Sequence, residues 1–150
     1  MQVADKPDDI LITYSLGSCV GLTLYDPHAG LGGMIHCMLP LSKIDSERAK
    51  QAPMMFVDTG VPLLLQTLLN NGAEKKRLVA KVAGAAQLLD QKNTFRIGER
   101  NKVVLRKLLW KNNILIAAEE TGGNIARTMS LYLADGRTTI RSGGKEHELE

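Results

Sequence analysis

Turn-forming residues divide the first 40 residues into three short apolar segments, and this spacing restricts the fold more than any other feature of the chain. Residues 10–16 are rich in β-branched and apolar side chains, which is typical of a strand. A glycine-serine break separates them from residues 19–25, where alternate side chains are apolar. The turn sequence of residues 26–30 then precedes residues 33–39. These segments predict three neighbouring β-strands joined by tight turns.

The rest of the chain mixes helical patterns with further short strands. Residues 54–69 and 101–110 have the apolar spacing of helices, although Pro62 interrupts the first of them. Residues 41–53 are polar without a clear period and predict a mobile surface loop. Further strands are predicted at residues 78–82, 114–118, 128–133 and 138–141, the last two as a hairpin around Asp135-Gly136. About seven strands and two helices favour an α+β fold over a parallel βαβ sheet.

The composition is that of a globular protein, with 44% hydrophobic and 23% charged residues. A length of 150 residues suits one domain, and we expect frayed ends at about residues 1–9 and 142–150. No apolar run approaches the ~18 residues of a membrane span, and the N-terminus lacks the pattern of a secretory signal. These features predict a soluble cytoplasmic protein without membrane insertion. A net charge of +3 and only 4% aromatic residues argue against nucleic-acid binding.

Two cysteines and three histidines raise the question of a metal site. In a reducing cytoplasm, Cys19 and Cys37 are expected to stay free thiols. With His28, His36 and His147 they could form the site of a zinc-binding structural domain, but CxxC and HxxxH spacings are absent. Strand alternation also points the side chains of His36 and Cys37 to opposite faces, so both could not easily bind one ion. We therefore predict no metal site.

The cysteine at the start of the second segment is a candidate nucleophile. Cys19 follows Gly17 and Ser18, and glycine allows backbone angles at which N–H groups converge beside the sulfur. Such N–H groups are what the oxyanion of an acyl transfer needs. A free cysteine is, however, commonly no more than a small buried hydrophobe.

The histidine of the third segment is a candidate base for a thiol on the adjacent strand. His36 lies between apolar neighbours in a segment that ought to be buried, with Met34 and Met38 on its face. A hydroxyl of the first segment, from Thr13 or Ser15, could orient the imidazole, and the residues alone do not choose between them. Without further information, an ordinary core histidine is the favoured explanation.

Four stretches in this order and spacing closely resemble the CheD family of chemoreceptor glutamine deamidases. They lie at residues 16–27, 32–40, 97–101 and 119–128, within a match that extends from about residue 10 to residue 141. The resemblance implies a single-domain sandwich of mainly antiparallel strands with flanking helices, similar to the deamidase fold of the cytotoxic necrotizing factor toxins. It also implies a catalytic set of Cys19, His36 and Thr13.

The reaction that the resemblance implies is hydrolysis of glutamine side-chain amides to glutamate through a thioester on Cys19. Pairing with His36 is expected to lower the pKa of the Cys19 thiol. Backbone N–H groups near Gly17 and Ser18 would bind the oxyanion, and no cofactor is required. Glutamyl methyl esters could be hydrolysed in the same way.

The implied partners are the cytoplasmic helical region of chemoreceptors and a phosphatase of the CheC type. The alternative is a non-catalytic partner that regulates such a phosphatase. Two positions depart from the family pattern, because Ala85 stands where a second glycine is usual and Glu120 where aspartate is common. Neither residue is expected to touch the catalytic set.

Overall fold

The structure is a computed structural model that describes residues 1–87 and 95–150. Within these residues, nine β-strands and three α-helices follow one another along the chain. The strands are β1 (Gln2–Ala4), β2 (Ile10–Leu16), β3 (Val20–Asp26), β4 (Leu31–Cys37), β5 (Val79–Gly84), β6 (Ile116–Thr121), β7 (Arg127–Tyr132), β8 (Thr138–Ser142) and β9 (Lys145–Glu148). The helices are α1 (Ser46–Gln51), α2 (Val57–Asn70) and α3 (Ile97–Lys111).

The strands form two sheets that pack face to face. One sheet has five strands in the order β1-β4-β3-β5-β6, and the other has four in the order β2-β7-β8-β9. The pair β5–β6 is parallel, and the other paired strands are antiparallel. The prediction of an α+β sandwich with mainly antiparallel strands is therefore confirmed.

The five-stranded sheet is covered on both faces. One face contributes to a core with α2 and α3, and the other packs against the four-stranded sheet. Every residue of β3 is consequently buried, and in β4 His36 alone is partly exposed. The predicted alternation along β4 is confirmed, because Met34 faces the other sheet while Ile35 and Cys37 face the helices. His36 shares the face of Met34 and so lies at the boundary between the two sheets.

The first predicted strand lies in a different sheet from its two successors. β3 and β4 are neighbours as expected, whereas β2 pairs with β7, so the prediction of three adjacent strands is wrong for β2. The chain crosses between sheets at the turn of residues 17–19. Leu16 is fully buried at this crossing, and it is accommodated because Gly21 carries no side chain: a Cβ there would lie 2.8 Å from Leu16 Cδ1.

A short strand lies near each end of the chain, within the residues where frayed ends are expected. β1 pairs with β4, and β9 pairs with β8. β9 consists of exposed polar residues, and Leu149 next to it is buried in the core between the sheets. Polar composition misleads at such sites, because an edge strand is held by its backbone hydrogen bonds and needs few apolar side chains.

The segment predicted as a mobile surface loop contains short helical elements. Asp45 caps α1 by accepting a hydrogen bond from the backbone N–H of Arg48. The Asp58 carboxylate accepts bonds from both the N–H and the hydroxyl of Ser42. The mobility of residues 41–53 stays a prediction. The next helix, α2, runs through Pro62 without a break.

Candidate active site

The three predicted catalytic residues come from a turn and two strands at one end of the sandwich. Cys19 lies in the turn between β2 and β3, His36 lies on β4, and Thr13 lies on β2. The register of the five-stranded sheet pairs Gly21 with His36. Cys19 precedes Gly21 by two residues and packs against the core between the sheets, so it lies diagonally beside His36 on the same face.

A hydrogen bond between the two sheets joins Thr13 to His36. Thr13 Oγ1 lies 2.8 Å from His36 Nδ1. Thr13 is 8% exposed, whereas Ser15, the other hydroxyl considered from the sequence, points to solvent. Thr13 is therefore the residue that contacts the imidazole, and the bond leaves Nε2 as the ring nitrogen that can exchange a proton elsewhere.

A bulge in β2 lets Thr13 and Leu16 both face inward. The pairing of β2 with β7 shifts register between Thr13 and Leu16, and Ser15 has a φ of 56°. Strict alternation would place Thr13 and Leu16 on opposite faces, but the extra residue lets both face inward while Tyr14 is exposed. Such bulges often occur beside functional sites, where they redirect a side chain.

All three carbonyl groups of the turn that carries Cys19 are hydrogen-bonded to neighbouring segments. Gly17 O accepts from Ala86 N at 2.7 Å, and Cys19 O accepts from Ala85 N at 2.8 Å. Ser18 O accepts from the side-chain amide of Asn101 at 2.9 Å. Each of the three peptide groups in the turn is thus hydrogen-bonded, which fixes the backbone that carries the thiol.

The expectation that Ala85 does not touch the catalytic set is wrong, because its N–H binds Cys19 directly. Ala85 has a φ of 54°, in the region that favours glycine. Gly84 before it has a φ of 101°, and a Cβ at this position would clash with the carbonyl oxygen of Cys19. The backbone beside Cys19 therefore requires two consecutive residues with positive φ.

A buried arginine joins the two loops beside this turn. Arg127 is 6% exposed and donates to Gly122 O at 3.0 Å and to Gly84 O at 3.4 Å. Its charge is balanced by Glu120, whose carboxylate lies 2.8 Å from Arg127 Nε and 2.6 Å from His147 Nε2. Glu120, the second departure from the family pattern, therefore supports the loops and lies outside the Cys19–His36–Thr13 set.

Sequence reasoning gave no role to Asn101, Gly84 or Arg127. A usable signal existed for Asn101, because it occupies the buried stripe of α3 together with Leu105 and Leu109. A polar residue at a position where the helical period calls for an apolar one indicates a specific partner. Gly84 and Arg127 gave no comparable signal, because their contacts depend on the packing of separate loops.

Burial sets the protonation states of the proposed pair. It raises the pKa of the Cys19 thiol, and the hydrogen bond from the residue's own N–H opposes this rise. Burial, assisted by the positive N-terminus, lowers the pKa of His36. His36 is not among the groups that shift the Cys19 pKa, and the direction of the shift is opposite to the expected lowering. Both directions favour a thiol and a neutral imidazole over a thiolate and an imidazolium at neutral pH.

The second cysteine is placed differently. Cys37 faces the helices, and burial raises its pKa to about 12. Both cysteines are free thiols. Across residues 1–87 and 95–150, no three His, Cys, Asp or Glu side chains are grouped so that they could hold a metal ion. No helix in the same part of the chain is long and apolar enough to span a membrane.

Comparison with known proteins gives one consistent result. Residues 38–142 match the family model described as CheD chemotactic sensory transduction. A Solibacter usitatus protein named probable chemoreceptor glutamine deamidase CheD is 47% identical over 148 residues, which cover 99% of this chain and 88% of the relative. Relatives with the same kind of name occur in Syntrophus aciditrophicus (47% identity; 95% of this chain, 89% of the relative) and Pyrococcus horikoshii (42%; 91% and 84%). The chain therefore belongs to the CheD family.

Proposed function

We propose that this chain hydrolyses the side-chain amide of glutamine residues on chemoreceptors, with Cys19 as nucleophile and His36 as base. The observation that carries the proposal is the 2.8 Å contact between Thr13 and His36 Nδ1, on the face that also holds Cys19. An orienting group, an imidazole and a thiol in this order form the arrangement from which nucleophilic catalysis is recognised. The substrate is proposed from the relatives, which are named probable chemoreceptor glutamine deamidases.

The first step transfers a proton as the thiol attacks. The mechanism requires the tautomer in which His36 Nδ1–H donates to Thr13 Oγ1, so that Nε2 carries the lone pair and accepts the proton of Cys19 Sγ. Because burial keeps both groups neutral, proton transfer accompanies attack on the amide carbon instead of preceding it. The oxyanion that forms accepts hydrogen bonds from backbone N–H groups of the turn at Gly17 and Ser18.

Collapse of this intermediate breaks the carbon–nitrogen bond. The imidazolium of His36 donates its proton to the departing nitrogen, ammonia leaves, and Cys19 Sγ carries the thioester. Water then attacks the thioester with His36 as base, which yields the glutamate side chain and restores the thiol. A glutamyl methyl ester passes through the same thioester with methanol as the leaving group, so ester hydrolysis is part of the proposal.

The partners follow from the substrate. Cys19 and His36 are both partly exposed, as a site must be if it accepts a glutamine that projects from a receptor helix. The proposed substrate region is the cytoplasmic helical part of the receptor, so the proposed location of this chain is the cytoplasm. A CheC-type phosphatase is a second proposed partner, on the basis of the family resemblance.

The test is deamidation of a purified chemoreceptor cytoplasmic fragment by the purified chain. We expect release of ammonia and, by peptide mass spectrometry, conversion of particular glutamines to glutamate. His36→Ala should abolish both, whereas His28→Ala, a histidine in the exposed turn between β3 and β4, should retain them. Binding of the receptor or of a CheC-type phosphatase without any glutamine conversion would overturn the proposal and favour a non-catalytic regulator.

A further inference from the structure

Helix α3 carries one fully buried amide in an otherwise apolar stripe. Asn101 is 0% exposed, and it lies one helical turn before Leu105 and two turns before Leu109, which pack into the helix-side core. An apolar side chain is what the burial and the period favour at this position. The amide therefore needs an explanation other than packing.

The side-chain nitrogen of Asn101 makes two hydrogen bonds near the proposed active site. Nδ2 donates to Ser18 O at 2.9 Å and to Met38 O at 3.1 Å. Because carbonyl oxygens only accept hydrogen bonds, the nitrogen end of the amide must face them. Ser18 immediately precedes Cys19, and Met38 follows His36 by two residues. Asn101 thus links the turn of the nucleophile to the strand of the base, just beyond the last β3–β4 pair, Val20 with Cys37.

The oxygen end of the same amide is unfavourable for stability. Asn101 Oδ1 is buried and has no hydrogen-bond partner among residues 1–87 and 95–150. A buried polar atom without a partner costs free energy, and an apolar residue of similar size would avoid that cost. The two bonds made by Nδ2 offset that cost, because they give two backbone carbonyls a donor, and they join the turn of Cys19 to the strand of His36.

Holding Ser18 O determines the direction of the next N–H group. The C=O and N–H bonds of a trans peptide are coplanar and point in opposite directions. With Ser18 O fixed on Asn101, the N–H of Cys19 points in the opposite direction within the peptide plane, away from Asn101. That N–H is the backbone donor that opposes the rise in the pKa of the Cys19 thiol. The geometry therefore connects a buried amide on α3 to the surroundings of Sγ.

We propose that Asn101 is a positioning residue: by binding Ser18 O and Met38 O, it orients the Cys19 N–H and fixes Cys19 relative to His36. The proposal rests on the proposed function, in which Cys19 is the nucleophile. It differs from that function in predicting a role for a residue that does not touch the substrate. Displacement of a reacting group by about 1 Å can lower a rate about 10²-fold.

The test replaces the amide by an apolar side chain of similar size. Asn101→Leu removes the unpartnered oxygen but leaves Ser18 O and Met38 O without this donor, so we expect a folded protein with a lower thermal midpoint. We expect kcat for receptor deamidation to fall about 10²-fold with little change in KM. The pH dependence of Cys19 alkylation by iodoacetamide should move to higher pH, because the N–H that stabilises the thiolate is no longer held.

The matched control is Asn112→Leu. Asn112 ends the same helix and donates from its side chain to Leu108 O at 2.9 Å, far from the Cys19 turn in the fold. This variant should retain the parental kcat and alkylation profile.

Parental kcat and an unchanged alkylation profile in folded Asn101→Leu would overturn the positioning role. If Cys19→Ala remained fully active, the proposed function would fail instead, so the two failures are distinguishable. Should Asn101→Leu not fold, Asn101→Met provides the same loss of donor with a more adaptable side chain. Unfolding of both variants, with Asn112→Leu folded, would also overturn the proposal, because it would show that Asn101 has a structural role only.

Discussion

At the scale of single residues, the contact between Thr13 and His36 is the point where the two sheets meet in the site. Thr13→Val keeps the shape of the side chain but removes the hydroxyl that binds Nδ1. We expect kcat to fall about 10-fold to 100-fold, less than the 10²–10⁴-fold typical for loss of a proton-transferring group such as His36. Thr13→Ser should retain most of the activity. Equal rates for Thr13→Val and the parent would contradict the orienting role.

The positive φ of Gly84 provides a second residue-scale prediction. Gly84→Ala should lower the free energy of unfolding by about 1–3 kcal/mol because of backbone strain, and it should also lower activity because the added Cβ displaces Cys19 O. Gly72→Ala is the matched control, since its φ of 108° is similar but no atom lies within 4 Å of the added Cβ. The control should lose stability and keep activity. Equal activity in the two folded variants would show that the Gly84 contact does not matter.

The raised pKa of Cys19 predicts how its labelling depends on pH. Alkylation followed by mass mapping should modify Cys19 before Cys37 at every pH, because Cys37 is more deeply buried and its pKa is raised to about 12. The rate at Cys19 should continue to rise above about pH 8.5, where an ordinary thiol is half ionised. A rate that is already constant at neutral pH would instead indicate a thiolate–imidazolium pair.

The identity of the proposed catalytic residues could be predicted from the sequence, but their ionisation could not. Cys19, His36 and Thr13 stand in recognisable local patterns, so the family resemblance identifies them. The direction of the Cys19 pKa shift depends on how completely β3, β4 and the second sheet exclude water, and this follows only from packing. Asn101 was missed for a related reason, because its two partners are 63 and 83 positions away in the chain.

At the scale of elements, a buried carboxylate joins the β3–β4 hairpin to the segment between α2 and β5. Asp26 is 0% exposed and accepts bonds from the backbone N–H groups of His28, Ala29 and Glu74, besides its ion pair with Arg77. Burial alone would raise the pKa of Asp26, but the Arg77 guanidinium and these N–H groups together hold it well below its usual range. The Asp26 carboxylate thus holds both the turn between β3 and β4 and the segment between α2 and β5.

Asp26→Asn should lower the free energy of unfolding by about 3–5 kcal/mol at neutral pH, the usual effect of removing one partner of a buried ion pair. Since the folded-state pKa of Asp26 is depressed, its contribution is present above the unfolded-state pKa and is lost as the pH falls. The difference between the two proteins should therefore shrink below about pH 4. Urea denaturation of both proteins at several pH values measures this difference in the free energy of unfolding. The control is Asp135→Asn, because Asp135 is an exposed turn residue that accepts a hydrogen bond from Arg137 N. This variant should change the free energy of unfolding little. An equal loss in both variants would contradict the role of Asp26.

The positions of the strands along the chain were easier to predict than which strands pair with each other in the sheets. Residues 10–16 were recognised as a strand from their composition, yet β2 joins the second sheet because the turn at residues 17–19 crosses between sheets. Periodicity reports which face of a strand is buried and carries no information on which strand lies next to it. The edge strands β1 and β9 were missed because few of their side chains are buried.

At the scale of the whole molecule, the sandwich brings one residue of each sheet and one connecting turn to a common end. The helix-side core supports this end from behind through α3, whose Asn101 contacts the Cys19 turn. The site is therefore assembled from segments that are distant in the chain, and its integrity depends on the packing of both sheets. Partial unfolding of either sheet should abolish activity before it exposes the deeper Cys37.

The central claim is that Cys19 forms the thioester through which glutamine is hydrolysed, and a comparison of the two cysteines tests it most directly. Cys19→Ala and Cys37→Ala should each be purified, shown to be folded by circular dichroism, and incubated with a chemoreceptor cytoplasmic fragment while ammonia release is measured. The account predicts no ammonia above background from folded Cys19→Ala and near-parental release from Cys37→Ala, which loses only some packing stability. Parental ammonia release from folded Cys19→Ala would contradict it.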